Sequence, residues 1–136
     1  MTHRGLLMAT STAFAMLALA LGARSLDAQA PGFKRVELQR HDIGATGREA
    51  VMVRAEFQPG AVTPRHTHPG EEVAYVLQGE LTIELEGKPA AKLKTGDSFF
   101  VPASTAHMGK NTAKGETIVI STYIVEKGKP LATTVK

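Results

Sequence analysis

The stretch PRHTHPGEE, residues 64–72, places His66 and His68 two positions apart, just before two glutamates. On an extended chain, residues i and i+2 point to the same side, so both imidazoles reach one point in space. A Pro-Gly turn signal follows, and the bend can bring the carboxylate of Glu72 back to that point. The stretch therefore predicts a local cluster of two imidazoles and one carboxylate.

Two neutral imidazoles and a carboxylate suit Fe(II), Mn, Ni, Co, Cu or Zn better than Ca or Mg. A His-x-His pair alone is weak evidence, because histidines also occur in cores and on surfaces without a metal. Thr67, between the histidines, faces away and is expected to pack. Glu71 points to the opposite face if the chain is extended there, and we expect a solvated acid or one that supports a ligand through a hydrogen bond.

Around this stretch, apolar and polar residues alternate with a period of two. Val51, Val53, Ala55 and Phe57 share one face of a predicted strand. Further strands are predicted at EEVAYVLQG, ELTIELEG, AAKLKTGD, SFFVP and ETIVISTYIVEKG, with turns at Gly60, Gly79, Gly87 and Gly96. No segment has apolar residues at helical spacing with a cap. Short strands at intervals of about eight to twelve residues predict an all-β sandwich or barrel.

Composition excludes several classes of function. The chain has 136 residues, a length typical of one domain, and a formal charge of +3 without a Lys/Arg cluster, so no nucleic-acid partner is expected. It has no cysteine, which excludes disulfides, thiolate metal sites and a cysteine nucleophile. We find no glycine-rich phosphate loop, no Ser-His-Asp arrangement and no glycosidase-type pair of acids.

The first thirty residues have the layout of a secretory signal peptide. Arg4 precedes an apolar run over residues 6–21, and Ala28-Gln29-Ala30 follows. This predicts a signal peptide over residues 1–28, cleaved after Ala28 or Ala30. A membrane anchor is the alternative, but the run is short for a span of about 20 apolar residues. We therefore expect an exported protein, periplasmic or secreted, with no membrane contact after cleavage.

Two longer stretches carry a family resemblance. Residues 60–79 resemble the first signature of the cupin superfamily, which has its fixed positions at Gly60, His66, His68, Glu72 and Gly79. The choice of Glu72 over its neighbour follows from this spacing.

The second stretch, residues 96–111, resembles the second cupin signature through Gly96, Pro102, His107 and Asn111. Ser104 departs from the pattern, which usually has glycine there. If that turn needs a positive φ, serine is mildly strained.

The resemblance implies an all-β jelly-roll barrel of antiparallel strands. It also implies metal ligands at His66, His68, Glu72 and His107, and one divalent transition metal, which could be Fe, Mn, Ni, Cu or Zn. The expected organisation, in chain order, is a signal peptide, an N-terminal extension or strand, the cupin barrel and a C-terminal tail: residues 1–28, 29–49, 50–127 and 128–136.

The family hosts many activities, so the resemblance implies a function only broadly. The resemblance to small exported single-domain cupins of the quercetin-dioxygenase type suggests a mononuclear metal-dependent enzyme that acts on a small organic substrate such as a diol or flavonol. Isomerase and decarboxylase activities are also open alternatives. The alternative is a non-catalytic periplasmic module that binds a metal or small ligand. No catalytic residue is assigned. A homodimer is expected, since small cupins commonly pair through outer strands.

Several other residues have two interpretations. Arg54 could bind a substrate carboxylate, but a surface salt bridge is favoured. Tyr75 is expected in the core or an interface, and Asn111 is expected to stabilise a turn. His41 is expected to lie outside the site. Four apolar residues could line a pocket or belong to the core: Met52, Phe99, Phe100 and Met108.

Overall fold

The computed structural model describes residues 30–136, in which every regular element is a β-strand. This part of the chain includes no helix of the length and apolarity that a membrane span requires. The predicted signal peptide, residues 1–28, lies outside the described residues. The ten strands are β1 (Phe33–Asp42), β2 (Arg48–Phe57), β3 (His66–Thr67), β4 (Gly70–Gln78), β5 (Glu80–Leu85), β6 (Ala91–Lys94), β7 (Ser98–Val101), β8 (His107–Lys110), β9 (Thr117–Glu126) and β10 (Thr133–Thr134).

The strands form two five-stranded antiparallel sheets. We call the first the long-stranded sheet; its order is β1-β2-β9-β4-β7, and four of its strands have nine or ten residues. We call the second the short-stranded sheet; its order is β10-β3-β8-β5-β6, and its strands have two to six residues. The predicted all-β antiparallel fold is confirmed.

The period of two in the sequence corresponds to the inner and outer faces of the long-stranded sheet. In β2, Val51, Val53, Ala55 and Phe57 are buried, and the residues between them are half-buried on the outer face. β4 alternates in the same way, with Ala74 and Val76 inside.

The core lies between the two sheets in two apolar clusters. Leu81 of the short-stranded sheet packs in the larger cluster with seven residues from the long-stranded sheet and its connections: Phe33, Ala55, Phe57, Ala61, Ala74, Val76 and Val119. The smaller cluster consists of Val51, Val53, Tyr123 and Val125. Each large apolar side chain so buried contributes about 1.5–3 kcal/mol, which holds the two sheets together around the site described below.

The connections follow the turn chemistry of the sequence. The glycines at the four predicted turns all have positive φ, and Ser104 has a φ of 58°, so the strain expected at that serine is confirmed. Asn111 donates to the carbonyls of Phe57 and Gly115 and accepts from the amide of Ala113. Its predicted role in stabilising a turn is confirmed.

Both ends of the described chain enter the sheets. β1 lies within residues 29–49 and pairs with β2 from Phe33 opposite Phe57 to Asp42 opposite Glu49. β10 lies within residues 128–136 and pairs with β3 through Thr133 opposite Thr67 and Thr134 opposite His66. The strand that begins with His66 is therefore held by the last residues of the chain.

Candidate metal centre

The structure brings the four predicted ligands together. His66 and His107 lie directly opposite each other in the pairing of β3 with β8, and His68 follows β3 by one residue. Donor atoms of the three imidazoles lie within 4.8 Å of one another. Glu72 faces them from β4 of the long-stranded sheet, and all four side chains are buried. The three buried histidines are positioned for a metal ion.

All three imidazoles are oriented by backbone carbonyl oxygens at Nδ1. Because a carbonyl oxygen only accepts hydrogen bonds, each Nδ1 carries a hydrogen, and Nε2 of the neutral ring presents its lone pair to the centre. This is the tautomer that metal binding through Nε2 requires. The acceptors are the oxygens of Pro64 for His66 (2.7 Å), Leu131 for His68 (2.6 Å) and Thr105 for His107 (3.0 Å).

Glu72 closes the cluster from the other sheet. Ser121 Oγ donates to its Oε1 at 2.7 Å, while Oε2 lies 3.2 Å from His68 Nε2 and 3.4 Å from His107 Nε2. A carboxylate oxygen and an imidazole lone pair repel each other unless a proton or a metal cation lies between them. His68 Nε2 is buried and makes no hydrogen bond. The residues present therefore fit a metal ion at this point.

The protonation states also suit a metal. Burial lowers the pKa of His66 to about 3, and His107 shifts it in the same direction, so this imidazole is neutral near pH 7. Burial alone would raise the pKa of Glu72, but its contacts with His107, His68 and Ser121 outweigh burial and hold the pKa well below its usual range. His66 thus presents a neutral nitrogen donor and Glu72 an ionised carboxylate, the states that bind cations.

Two polar side chains of β9 support the site, and the sequence alone did not reveal them. Ser121 holds Glu72, and the Tyr123 ring lies 4.5 Å from the His68 ring. Burial raises the pKa of Tyr123 above its ordinary value of 10, and the charge of Glu72 acts in the same direction, so the phenol stays protonated. Their spacing of i and i+2 in a predicted strand was the signal that could have placed both on the inner face.

Arg35 is the third residue of the site that the sequence alone did not reveal. It lies in β1, where Nη2 approaches His66 Nε2 at 3.4 Å and the guanidinium stacks over the Phe33 ring at 5.3 Å. Phe33 and Arg35 are two positions apart and point to the same, inner face of the strand. This spacing was the available signal, but the segment also contains several turn residues, which obscure it.

A pocket opens beside the cluster between the two sheets. It encloses about 370 Å³ of space that atoms do not occupy, including the part open to solvent. Its walls are mostly apolar, and its lining includes Arg35, Thr63 and Ser121 among the polar groups. The apolar walls come from both sheets and include Phe33, Phe57, Leu81, Ile83 and Phe99.

Of the four apolar residues considered for the pocket, only Phe99 lines it. Phe100 is neither pocket nor core, because its side chain is 51 % exposed on the outer face. Met52 alternates with the buried residues of β2 and also faces outward, and Met108 alternates with His107 in β8.

The remaining candidates lie away from the centre. Glu71 faces outward and forms an ion pair with Arg48. The salt-bridge interpretation of Arg54 is confirmed, since its guanidinium lies 2.7 Å from Glu56. His41 is exposed in β1, and Tyr75 is 46 % exposed, so Tyr75 is not a core residue.

A family model described as Cupin domain matches residues 53–123, slightly more than half of the chain. The chain belongs to the cupin family. The matched segment contains His66, His68, Glu72 and His107, so the cluster lies within the family's domain.

Relatives of this cupin differ in what their names say they do. Germin-like protein subfamily 2 member 2 of Arabidopsis thaliana is 38 % identical over 77 residues, which are 53 % of this chain and 35 % of that protein. The HTH-type transcriptional regulator PuuR of Escherichia coli is 30 % identical over 93 residues, 68 % of this chain and 50 % of the regulator. The cupin thus spans between a third and a half of these relatives.

Solved structures support the fold of this cupin. A recombinant oxalate oxidase in complex with glycolate superposes with a TM-score of 0.64 at 23 % identity, over 79 % of this chain and 57 % of that chain. Identity at this level shows a shared fold and leaves the activity of this cupin to its own site.

Proposed function

We propose that this cupin binds one divalent transition metal through His66, His68, Glu72 and His107, and that the bound metal makes it a metal-dependent enzyme acting on a small organic substrate. The observation that carries the proposal is the orientation of the imidazoles: each Nδ1 contacts a backbone carbonyl, and the Nε2 atoms of His68 and His107 face the carboxylate of Glu72. Fe, Mn, Ni, Cu and Zn all suit this donor set.

Different residues of the protein would hold the metal, orient its ligands and hold the substrate. The three histidines and Glu72 would hold the metal, which when bound supplies Lewis-acid or redox chemistry at its open coordination positions. Ser121 fixes the orientation of Glu72 by donating to its other oxygen. The Tyr123 phenol, buried beside His68, shields this side of the cluster from water. The apolar walls of the pocket hold the body of the substrate.

Elemental analysis after dialysis tests the metal site. Wild-type protein should retain about one metal ion per chain, and the His66→Ala, His107→Ala double variant should retain almost none while circular dichroism still shows a β-rich fold. Glu71→Ala is the matched control, because this acid faces outward against Arg48. Full occupancy in the double variant would show that the histidines are not the ligands.

The finer proposal is oxygenase-like chemistry of the quercetin-dioxygenase type. The apolar pocket, which includes the rings of Phe33, Phe57 and Phe99, supports a substrate with an apolar or aromatic body. Metal-loaded protein incubated in air with a panel of diols, catechols and flavonols should consume dioxygen with at least one member. No turnover with Fe, Mn, Ni or Cu in the site would reject this chemistry while leaving the metal site intact.

A non-catalytic ligand-binding module is the second candidate, and the likeness to PuuR favours it. That relative is named a transcriptional regulator, and its matched part covers half of its length. In this case the cupin would bind the same small molecules without converting them. Recovery of a bound compound unchanged after prolonged incubation in air with metal-loaded protein would support the module over the enzyme.

A homodimer is proposed from the outer face of the long-stranded sheet. Four large apolar side chains, which we call the outer patch, are each about half exposed there: Val73, Tyr75, Leu77 and Phe100. Contiguous exposed apolar surface commonly marks an interface. Sedimentation at micromolar concentration should show a dimer that Tyr75→Ser with Phe100→Ser dissociates. Leu38→Ser, exposed on β1, is the control, and a monomeric wild type would reject the proposal.

Export is proposed from the sequence of residues 1–30. The basic head, apolar run and Ala28-Gln29-Ala30 support a cleaved signal and a periplasmic or secreted protein. Mass spectrometry of protein expressed with these residues should find an N-terminus at Gln29 or Pro31. An intact Met1 in a membrane fraction would contradict it.

A further inference from the structure

A glycine lies on the inner wall of the barrel next to the metal centre. Gly109 is buried and follows His107 by two positions in β8, so both positions face the interior. Among the described residues that line the pocket, it is the one glycine. The side chains nearest to it are those of Phe57 and Leu81, which also line the pocket. Gly109 thus lies between the nitrogen donors and the apolar end of the pocket.

The backbone at this position does not require glycine. The φ of Gly109 lies outside the left-handed region, so the conformation is one that any L-residue can adopt. Its amide donates to Thr63 Oγ1 at 2.9 Å, and its carbonyl accepts from the amide of Thr63 at 2.9 Å. On the other side of β8, Gly109 lies opposite Ile83 of β5. The backbone is therefore held in an ordinary strand geometry.

The space around Gly109 does not require glycine either. A Cβ there would lie 3.4 Å from Leu81 Cδ1 and 3.5 Å from Phe57 Cζ, which are ordinary van der Waals contacts. At Gly70, in contrast, a Cβ would lie 2.0 Å from the carbonyl oxygen of Ile124. Alanine therefore fits at position 109, and its absence leaves a gap between the β8 backbone and the side chains of Phe57 and Leu81.

This gap is unfavourable for the fold by itself. Protein interiors are close-packed, and glycine inside a strand adds conformational entropy to the unfolded chain without contributing a side chain to the core. Such a glycine often marks a place where a ligand comes close to the backbone. Because Gly109 lines the pocket, the gap is continuous with the space available to a bound molecule.

The position of Gly109 along β8 sets how far such a molecule must reach. Each residue of a strand advances the chain by about 3.3 Å, so Gly109 lies about 7 Å along β8 from His107. A compact molecule bound at the proposed metal would not extend that far. A molecule with a ring attached to its coordinating group would, and the ring would lie against Gly109, Phe57 and Leu81.

We infer that Gly109 is a specificity-determining residue, which admits a flat apolar ring against the β8 backbone and so selects elongated ligands over compact ones. This inference rests on the proposed metal site and names the shape of its substrate: a coordinating group with an apolar ring beyond it. The competing explanation is that the glycine serves only the packing of Phe57 and Leu81.

The test compares two neutral probes that differ by one ring, imidazole and 4-phenylimidazole. Both coordinate a metal through nitrogen, and the visible absorption of Co²⁺-loaded protein reports their binding. Wild-type protein should bind 4-phenylimidazole at least about ten-fold more tightly than imidazole. Gly109→Ala should reduce this ratio by about three-fold or more, and Gly109→Val should reduce it to about one. The affinity for imidazole itself should not change.

Thermal unfolding separates a ligand-binding role from a packing role. Gly109→Ala should raise the midpoint temperature while it weakens the binding of 4-phenylimidazole, because the added methyl group fills the gap and reduces the entropy of the unfolded chain. Gly115→Ala is the matched control, since Gly115 is exposed, has nothing within 4 Å of its Cβ position and also lies outside the left-handed region. It should leave the binding ratio unchanged.

Three results would overturn the inference. The first is a wild-type protein that does not prefer 4-phenylimidazole. The second is an unchanged ratio in both Gly109 variants, which would assign the glycine to packing. The third is an equal loss of affinity for both probes, which would mean that Gly109 only positions His107. Cobalt content is measured on every variant, and Gly109→Ala decides the matter if the larger valine side chain lowers that content.

Failure of the metal site has a different signature. If wild-type protein retains no cobalt after dialysis, the proposed function fails, and N-phenyl-1-naphthylamine becomes the probe. This neutral dye fluoresces in apolar surroundings and needs no metal. Weaker binding of the dye to Gly109→Val than to Gly115→Ala would still support the role of Gly109, and equal binding to the two variants would overturn it.

Discussion

The two sheets of this cupin contribute different chemistry to one site. The short-stranded sheet and the residue after β3 provide three imidazoles oriented by backbone carbonyls, those of His66, His68 and His107. The long-stranded sheet provides the charged and hydroxyl groups, namely Arg35, Glu72, Ser121 and Tyr123. The nitrogen donors thus come from the short-stranded side, whereas the carboxylate donor and the groups that orient it come from the long-stranded sheet.

The sheets also differ in how firmly the backbone holds them. β2 and β9 pair over ten residues, whereas β3 and β8 pair only at His66 opposite His107. The long-stranded sheet can therefore stay ordered on its own hydrogen bonds and core packing. The histidine-bearing strands depend more on the carbonyl contacts and on the cation that we propose joins them to Glu72.

The largest expected effect breaks the long-stranded sheet. A Cβ at Gly70 would lie 2.0 Å from the carbonyl oxygen of Ile124 and 2.7 Å from Val125 Cα, both backbone atoms of β9. Gly70→Ala should therefore cost about 4 kcal/mol or more in the free energy of unfolding, measured in urea. Gly87→Ala, with a φ of +73° and nothing within 4 Å, should cost only about 1 kcal/mol. Equal costs would contradict the close approach of β4 and β9.

The second-largest expected effect is the response of the two sheets to removal of the metal. At a free metal concentration about a thousand times the dissociation constant, binding should stabilise the fold by about 4 kcal/mol. Because the histidines lie on or next to the short strands, chelation should lower hydrogen-exchange protection in β8 more than in β9. Exchange that rises equally in both strands would show that the metal does not act mainly through the short-stranded sheet.

The third effect concerns the pH dependence of metal-free protein. The folded-state pKa of His66 is about 3 and its ordinary value is 6.5, so the unfolded chain takes up this proton first as the pH falls. The contribution of His66 to stability is therefore complete above pH 6.5 and is lost towards pH 3, by about 1.4 kcal/mol per pH unit.

Urea unfolding between pH 6.5 and 5 measures this slope above the range in which Glu72 contributes. His66→Gln should flatten it, whereas His41→Gln, at an exposed position, should not. A slope that survives His66→Gln unchanged would place the proton uptake on another group.

The smallest effect lies in the connection from β7 to β8, which joins the two sheets. Ser104 has a φ of 58° in this connection, and its amide donates to the carbonyl of His68. Ser104→Gly should stabilise the fold by about 0.5–1 kcal/mol, because relief of the left-handed strain exceeds the entropy that glycine adds to the unfolded chain. Ser98→Gly, in β7, should be destabilising by a similar amount. Thermal unfolding distinguishes the two signs.

The sequence predicted the features that are local. Alternation along β2 and β4 sets the faces of the strands within a few residues, and His66, His68 and Glu72 fall within one short stretch. His107 was reached only through the resemblance, because no local pattern connects it to β3.

Arg35 and Ser121 were missed for the same physical reason. They meet the site through contacts 31 and 49 residues apart in sequence, and strand order and register decide those contacts. Alternation also does not say which face of a strand is buried, or whether the outer face meets a partner. The prediction for Tyr75 therefore left both the core and an interface open.

The hydrogen bond from His68 to the carbonyl of Leu131 spans 63 residues of sequence. During synthesis, the growing chain contains His66 and His68 long before Leu131 exists to orient the second ring. Ser121, which fixes Glu72, is also made late. A nascent chain therefore lacks the finished donor set, and the proposed site would select its cation only after the last strands dock. The compartment in which folding ends, and the cations present in it, would then govern which metal the proposed site takes.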